Sequence, residues 1–250
     1  DPRFQQRGMD YNRYLINKLN PERIIVPTEF GREHMLRYFP ATRDKIRVIP
    51  HGADQVFAVA DTAAQELPAN LAQRPFILCP GSVEERKNGM RLVEAFEQSR
   101  AAKSLQLVFA GGRGYNHEAI YARAEASPAK DRILFLRGLS SAQLALLYMQ
   151  AVFTVYPSVF EGFGLPIAEA FALGSPLITS SIGAMAEVAG DAALTADPYS
   201  VEALQTAIDK LAEDAALRSE LADKGRRRAT EFTWQKAAAA TRDVYLELAP

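Results

Sequence analysis

Short apolar runs rich in β-branched and aromatic residues alternate along this chain with stretches in which apolar positions recur every three or four residues. Residues 76–79, 105–110, 133–136, 152–156, 176–179 and 192–194 read as strands, several of them apolar throughout rather than alternating, as expected of strands covered on both faces. Helical spacing falls between them. Leu92, Val93, Ala95 and Phe96 form one stripe, Leu144, Leu147 and Tyr148 another behind Ser140 or Ser141 as cap, and Ile167, Ala170 and Phe171 a third after Pro166. This alternation predicts an α/β fold, a Rossmann-like parallel sheet with right-handed crossovers and helices on both faces. From Ser200 onward three helices are expected, with a break near Phe232 and Thr233. Ahead of the main sheet, residues 23–28 read as a strand, 29–38 as a helix and 46–49 as extended chain.

Composition agrees with a globular domain, at 48% apolar and 24% charged residues with a net charge of -1. So small a net charge gives no electrostatic reason to expect nucleic acid. The basic triplet Arg226-Arg227-Arg228 falls near a helix end and reads as a solvated face. The single cysteine, Cys79, lies in an apolar strand as a small hydrophobe and excludes an intrachain disulfide. His34, His51 and His117 are scattered without metal spacing. No run reaches transmembrane length and no leader pattern opens the chain, so a cytoplasmic setting is expected.

Two loops hold the candidate chemistry. After residues 76–79 comes Gly81-Ser82-Val83-Glu84-Glu85-Arg86-Lys87-Asn88-Gly89, with Asn88 placed to cap the next helix. After residues 152–156 comes Glu161-Gly162-Phe163-Gly164-Leu165-Pro166-Ile167-Ala168-Glu169, with Pro166 suited to a first helical turn. Glycines let the backbone approach a ligand and aim amides at it, and the positive helix end favours an anion. Arg86 offers a planar fork for phosphate and Lys87 a compact charge, while Glu161 and Glu169 suit hydroxyls. On an ordinary surface these groups would simply be solvated. At the C-terminal ends of parallel strands, where open α/β sheets bind ligands, they describe a site for an anion flanked by hydroxyls, as in a nucleotide sugar.

Two further features read more plainly. Gly111-Gly112-Arg113-Gly114 follows a strand but does not complete Gly-x-Gly-x-x-Gly, so it is expected to be a flexible loop rimming the cleft. Phe163, between two glycines, fits an aromatic plugging the local core better than one stacking on a ligand.

The pattern Gly-x-x-x-x-Arg-Lys-Asn, followed by Pro-Ser-x-x-Glu-Gly-Phe-Gly-Leu-Pro-x-x-Glu, resembles the retaining glycosyltransferases of family 4, which have the GT-B fold. The likeness runs from about residue 20 to residue 248 and includes residues 45–54 and 132–138. It implies the C-terminal, donor-binding half of such an enzyme, transferring a sugar with retention from a nucleoside-diphosphate sugar to a glycan or lipid-linked acceptor. GDP-mannose is the first expectation for the donor and a UDP-sugar the second. By the resemblance, Arg86, Lys87 and Glu161 form the catalytic set, the cations stabilising the leaving diphosphate and Glu161 contacting the transferred sugar. Donor binding would also involve Gly81, Gly138 with its neighbour Arg137 near the base, Gly162, Phe163, Gly164 and Leu165 at the diphosphate, and Glu169 on the ribose hydroxyls. No metal or other cofactor is expected, since the cations can serve in its place and the chain has no Asp-x-Asp motif.

The expected domains are residues 1–55, a remnant of an N-terminal acceptor domain plus hinge, residues 56–232, the nucleotide-sugar-binding unit, and residues 233–250, a helix crossing back. Because the resembling enzymes have a whole upstream domain, the chain is expected to be a fragment that binds donor but transfers poorly. Its missing N-terminal domain then counts among its partners, and peripheral membrane association at the inner face is compatible with a lipid-linked acceptor. Part of the last helix, including Val244, Tyr245 and Leu248, is expected to be exposed or to self-associate. Where the family often has Pro-Glu, this chain has Ala186-Glu187, which is expected to loosen that loop. A non-catalytic nucleotide-binding or assembly module on the same fold is the alternative function. An epimerase would want acid and base groups in the cleft that these His-poor loops do not obviously supply.

Overall fold

The computed structural model describes residues 13–55, 67, 71 and 74–249. A small unit comes first: strand β1 (Ile24–Val26), helix α1 (Glu29–Tyr38) and strand β2 (Ile46–Val48), with β1 and β2 paired in parallel. The main sheet follows as β3 (Phe76–Pro80), α2 (Gly89–Gln98), β4 (Gln106–Ala110), α3 (His117–Glu125), β5 (Ile133–Leu136), α4 (Ser141–Gln150), β6 (Phe153–Tyr156), α5 (Leu165–Ala172), β7 (Leu177–Ser180), α6 (Gly183–Ala189) and β8 (Leu194–Ala196). Three helices close the chain: α7 (Val201–Glu213), α8 (Ala215–Ala229) and α9 (Trp234–Leu246).

The six strands lie in the order β5-β4-β3-β6-β7-β8 and every neighbouring pair is parallel. Strands β3, β4, β6 and β7 are buried at every residue, which is why their sequences are apolar runs. Alternate residues serve opposite faces. On one face Ile77, Leu107 and Phe109 meet Leu92, Phe96 and Ile208 of α2 and α7. On the other, Leu78, Val108, Tyr156 and Leu177 meet Leu147, Ile167 and Phe171 of α4 and α5. Each such Leu, Ile or Phe, fully buried, contributes about 1.5–3 kcal/mol, so the two layers hold a rigid sheet under the loops at its C-terminal edge. The chain builds outward from β3 through β4 to β5, then returns to place β6 on the other side of β3. That reversal opens a crevice beyond the ends of β3 and β6, and both motif loops leave from there.

Several expectations change in detail. Strand β8 spans Leu194–Ala196 rather than residues 192–194, because Ala192 is buried in the turn that closes α6, where its amide bonds Ala189 O. Ser140 caps α4 with a full capping box to Gln143. Asn88, by contrast, makes no side-chain cap. It adopts a left-handed φ of 64°, which Asn tolerates, and its buried amide donates to Pro157 O at 3.2 Å and Pro198 O at 2.6 Å, tying three loops together.

Gly111-Gly112-Arg113-Gly114 is pinned rather than flexible. Val83 pairs with Arg113 in a parallel bridge, the Val83 amide bonds Gly112 O at 2.8 Å and the Gly114 amide bonds Val83 O at 2.9 Å. Arg228 is not a freely solvated cation, since it donates to Glu187 O and Val188 O at the end of α6 and lies over the Phe232 ring. Val244 is buried against Ile49 rather than exposed, whereas Tyr245 and Leu248 are exposed. Helix α9 therefore does pack on the segment that follows β2, and Glu247 just beyond it pairs with Arg23 and Arg47. Glu187 is anchored, both carboxylate oxygens accepting amides at the start of α1, from Glu29 and Phe30 at 2.8 Å each. The boundary drawn between residues 55 and 56 adjoins residues 56–66, which lie outside the described residues.

Candidate functional site

The loop after β3 brings its cations toward β6. Gly81 turns the chain at φ +96°, a conformation that favours glycine, and a Cβ there would come within 2.7 Å of Lys87 Nζ, whose flexible side chain packs over it. A single 3-10 turn, Glu85–Lys87, then points Arg86 and Lys87 across the crevice. Lys87 Nζ donates to Tyr156 Oη at 3.2 Å and lies 5.3 Å from the centre of that ring.

The loop after β6 answers with carboxylates. Glu161 forms an ion pair with Arg86 and accepts from Tyr156 Oη at 2.6 Å and Ser158 Oγ at 3.0 Å. Arg86 also donates to Phe160 O at 2.7 Å and to Glu84, a second carboxylate within its own loop. Glu161 is the anchor of this pair, its side chain 13% exposed, and Arg86 is the open arm at 42%. Glu169, one turn into α5, accepts from Tyr148 Oη at 2.8 Å. Burial lifts the Glu169 carboxyl above its ordinary range, against the pull of the Tyr148 hydrogen bond and the Lys87 charge. Burial first, and the carboxylates beside them second, push both tyrosines well above the usual phenol value, so each remains a neutral hydroxyl donor.

The four charged residues singled out from sequence, Arg86, Lys87, Glu161 and Glu169, therefore line one crevice, with Gly81 beneath Lys87. Gly164 turns the second loop at φ +96° into α5, and Pro166 stands in its first turn as expected. Gly162 is exposed and Leu165 half-buried at the mouth of that helix. Gly138 lies after β5, two strands from β3 along the same sheet edge, at φ +68° with nothing within 4 Å of an added Cβ, and it takes no part in the charged cluster. Phe163 is buried in the core with its ring edge-on to His51 at 5.2 Å and to Phe232 at 5.5 Å, so its side chain plugs the loop and offers no stacking face. His51, packed there, is held below its ordinary value by burial.

Sequence reading gave no site role to Thr28, Glu84, Tyr148 or Tyr156, and placed Ser158 only within the family pattern. Tyr156 carried the one usable signal, a hydroxyl at the last position of a strand entering a motif loop. Among the described residues no group of three or more His, Cys, Asp or Glu side chains is arranged to hold a metal ion, and no helix is long and apolar enough to cross a membrane. The arrangement is suited to an anion: two cations from one loop meet the other loop, which leads into a helix N-terminus, and carboxylates held by tyrosine hydroxyls stand beside them.

The chain is similar to O-antigen chain mannosyltransferase B of Escherichia coli, 29% identical over 228 residues that cover 89% of this chain and 60% of that protein. It is also similar to a D-inositol 3-phosphate glycosyltransferase of Xylanimonas cellulosilytica, 30% identical over 237 residues, 90% of this chain and 56% of the other. The chain thus spans about three-fifths of the length of these curated relatives. Among solved structures it superposes on sucrose-phosphate synthase of Thermosynechococcus elongatus with a TM-score of 0.78 and 28% identity, covering 95% of this chain and 62% of that one. A glycosyltransferase of Rickettsia africae gives a TM-score of 0.77 at 21% identity over 96% of this chain and 66% of that one, a likeness of fold. The family model described as glycosyl transferases group 1 matches residues 63–228, the span that holds both motif loops, and the chain belongs to that family and has a GT-B-type α/β fold.

Proposed function

We propose that this chain carries the donor site of a retaining hexosyltransferase, binding a nucleoside-diphosphate sugar for transfer to a glycan or lipid-linked acceptor. The observation that carries this reading is the convergence of Arg86 and Lys87 with Glu161 and Glu169 at the reversal point of the sheet. GDP-mannose is the preferred donor, supported by the mannosyltransferase among the relatives, with UDP-sugars next.

On this reading the diphosphate lies between Lys87, Arg86 and the N-terminal end of α5. Arg86 exchanges its contacts with Glu161 and Glu84 for charge-assisted phosphate bonds of about 1.5–3 kcal/mol. As the glycosidic bond breaks, charge develops on the leaving phosphate and the two cations stabilise it in place. Glu161, freed of Arg86 and still held by Tyr156 and Ser158, accepts from hydroxyls of the transferred sugar. Glu169, held by Tyr148, accepts from the ribose. The acceptor attacks from the face the diphosphate leaves.

Titration calorimetry with GDP and UDP tests the reading. Binding of one nucleotide that is lost in Lys87→Ala is the expected result. Absence of binding by either nucleotide would favour an assembly module on an inherited fold.

A further inference from the structure

The second motif loop is held from outside the family-matched span. Thr28 is 1% exposed and its hydroxyl does two things at once. It accepts from the Gly31 amide at 3.0 Å, capping α1, and it donates to Gly162 O at 2.9 Å, 134 positions away. The same helix end is fixed to the main domain by Glu187, which takes the Glu29 and Phe30 amides. Phe30 adds an edge-on contact to Phe160 at 5.9 Å. Gly162 itself is exposed, and nothing lies within 4 Å of where its side chain would be.

Geometry turns this contact into orientation. The described peptide bonds are all trans, and in a trans peptide the carbonyl and the amide N–H point in opposite directions. Fixing Gly162 O toward Thr28 therefore turns the Phe163 N–H away from α1. We propose that Thr28 is a positioning residue for the donor site, its hydroxyl setting the Gly162–Phe163 peptide so that the loop presents its amide side to the diphosphate. This rests on the donor-site reading above. It adds that α1, on the small leading unit, is a strut for that loop, and that Thr28 itself touches no reacting atom.

The test compares wild type, Thr28→Val, Thr28→Ser and Glu187→Gln. Hydrogen exchange of the peptide spanning residues 158–166 is measured without nucleotide, and GDP and UDP affinity by calorimetry. Thr28→Val, which keeps the shape and loses the hydroxyl, should speed exchange in that peptide about tenfold and weaken nucleotide binding by a similar factor, as expected for one buried hydrogen bond. Thr28→Ser should restore both. Glu187→Gln loosens the same helix end while sparing the hydroxyl, and should speed exchange in the loop peptide by clearly less than Thr28→Val does. Unchanged exchange and affinity in Thr28→Val, or loss of both in Glu187→Gln to the same degree, would overturn the strut. If exchange responds as expected but wild type binds neither nucleotide, the loop contact stands and the donor-site reading fails.

Discussion

Arg86 and Glu161 meet across the crevice between β3 and β6, with the carboxylate largely shielded and the guanidinium half open to solvent. The pair is asymmetric in what it can release. Glu161 keeps Tyr156 and Ser158 as donors when Arg86 departs, so the carboxylate is not stranded. Arg86 is held additionally by Glu84, and the ligand must compete with both carboxylates.

Glu84 is the more dispensable competitor. Glu84→Gln removes one negative charge beside the phosphate position while keeping a hydrogen-bonding oxygen for Arg86. Nucleotide affinity should rise several-fold, with a steeper loss as salt is added, because the surplus positive charge then faces the ligand. Calorimetry at two ionic strengths checks this. Weaker binding in Glu84→Gln would mean that Glu84 aims Arg86 rather than competing for it.

Glu169 sets a pH dependence. Its folded value is raised by burial above the ordinary value of 4.5, so over the window between the two the folded state binds more protons than the unfolded state. Stability from this group therefore falls as pH rises through that window and is recovered as pH drops below it. Glu169→Gln removes the ionised form, so it should raise Tm at neutral pH and flatten the Tm profile on the acid side. The same variant should bind nucleotide more weakly, a gain in stability with a loss of function. A variant that melts lower than wild type at neutral pH would contradict this account of the carboxylate.

The Gly-Gly-Arg-Gly loop separates conformation from space. A Cβ at Gly111 would lie 2.1 Å from Gly81 O, a backbone atom under the Lys87 loop, whereas one at Gly112 would meet nothing within 4 Å. Gly111→Ala should destabilise by roughly 1–3 kcal/mol or more and disturb nucleotide binding, since the loop carrying Lys87 must shift. Gly112→Ala should stay within about 0.5 kcal/mol of wild type. Urea unfolding of the two variants decides it, and equal effects would contradict the close backbone approach.

The sheet and the meeting of the two loops were legible because apolar runs mark strands and the motif glycines and charges follow two of them directly. Contacts made to backbone were not. Thr28 bonds a carbonyl, which leaves no residue-type signal at Gly162, and Asn88 looks like a cap because its tertiary acceptors, Pro157 O and Pro198 O, are invisible in sequence. Glu84 and Glu85 are adjacent acids, and only the 3-10 turn reveals that Glu84 reaches Arg86. Strand β8 is a short, partly exposed edge strand whose neighbouring alanines carry weak propensity, so its expected bounds fall two residues early. The paired regularity of Gly111 to Gly114 arises from packing beneath the β3 loop, a neighbour in space that periodicity does not report.

The most direct test is a crystal structure of the protein soaked with GDP and, separately, UDP. The account predicts a diphosphate between Lys87 Nζ, the Arg86 guanidinium and the loop at Gly162–Leu165, with the Arg86–Glu161 pair opened and Glu169 on the ribose. A nucleotide bound elsewhere while Arg86 and Glu161 remain paired would contradict it.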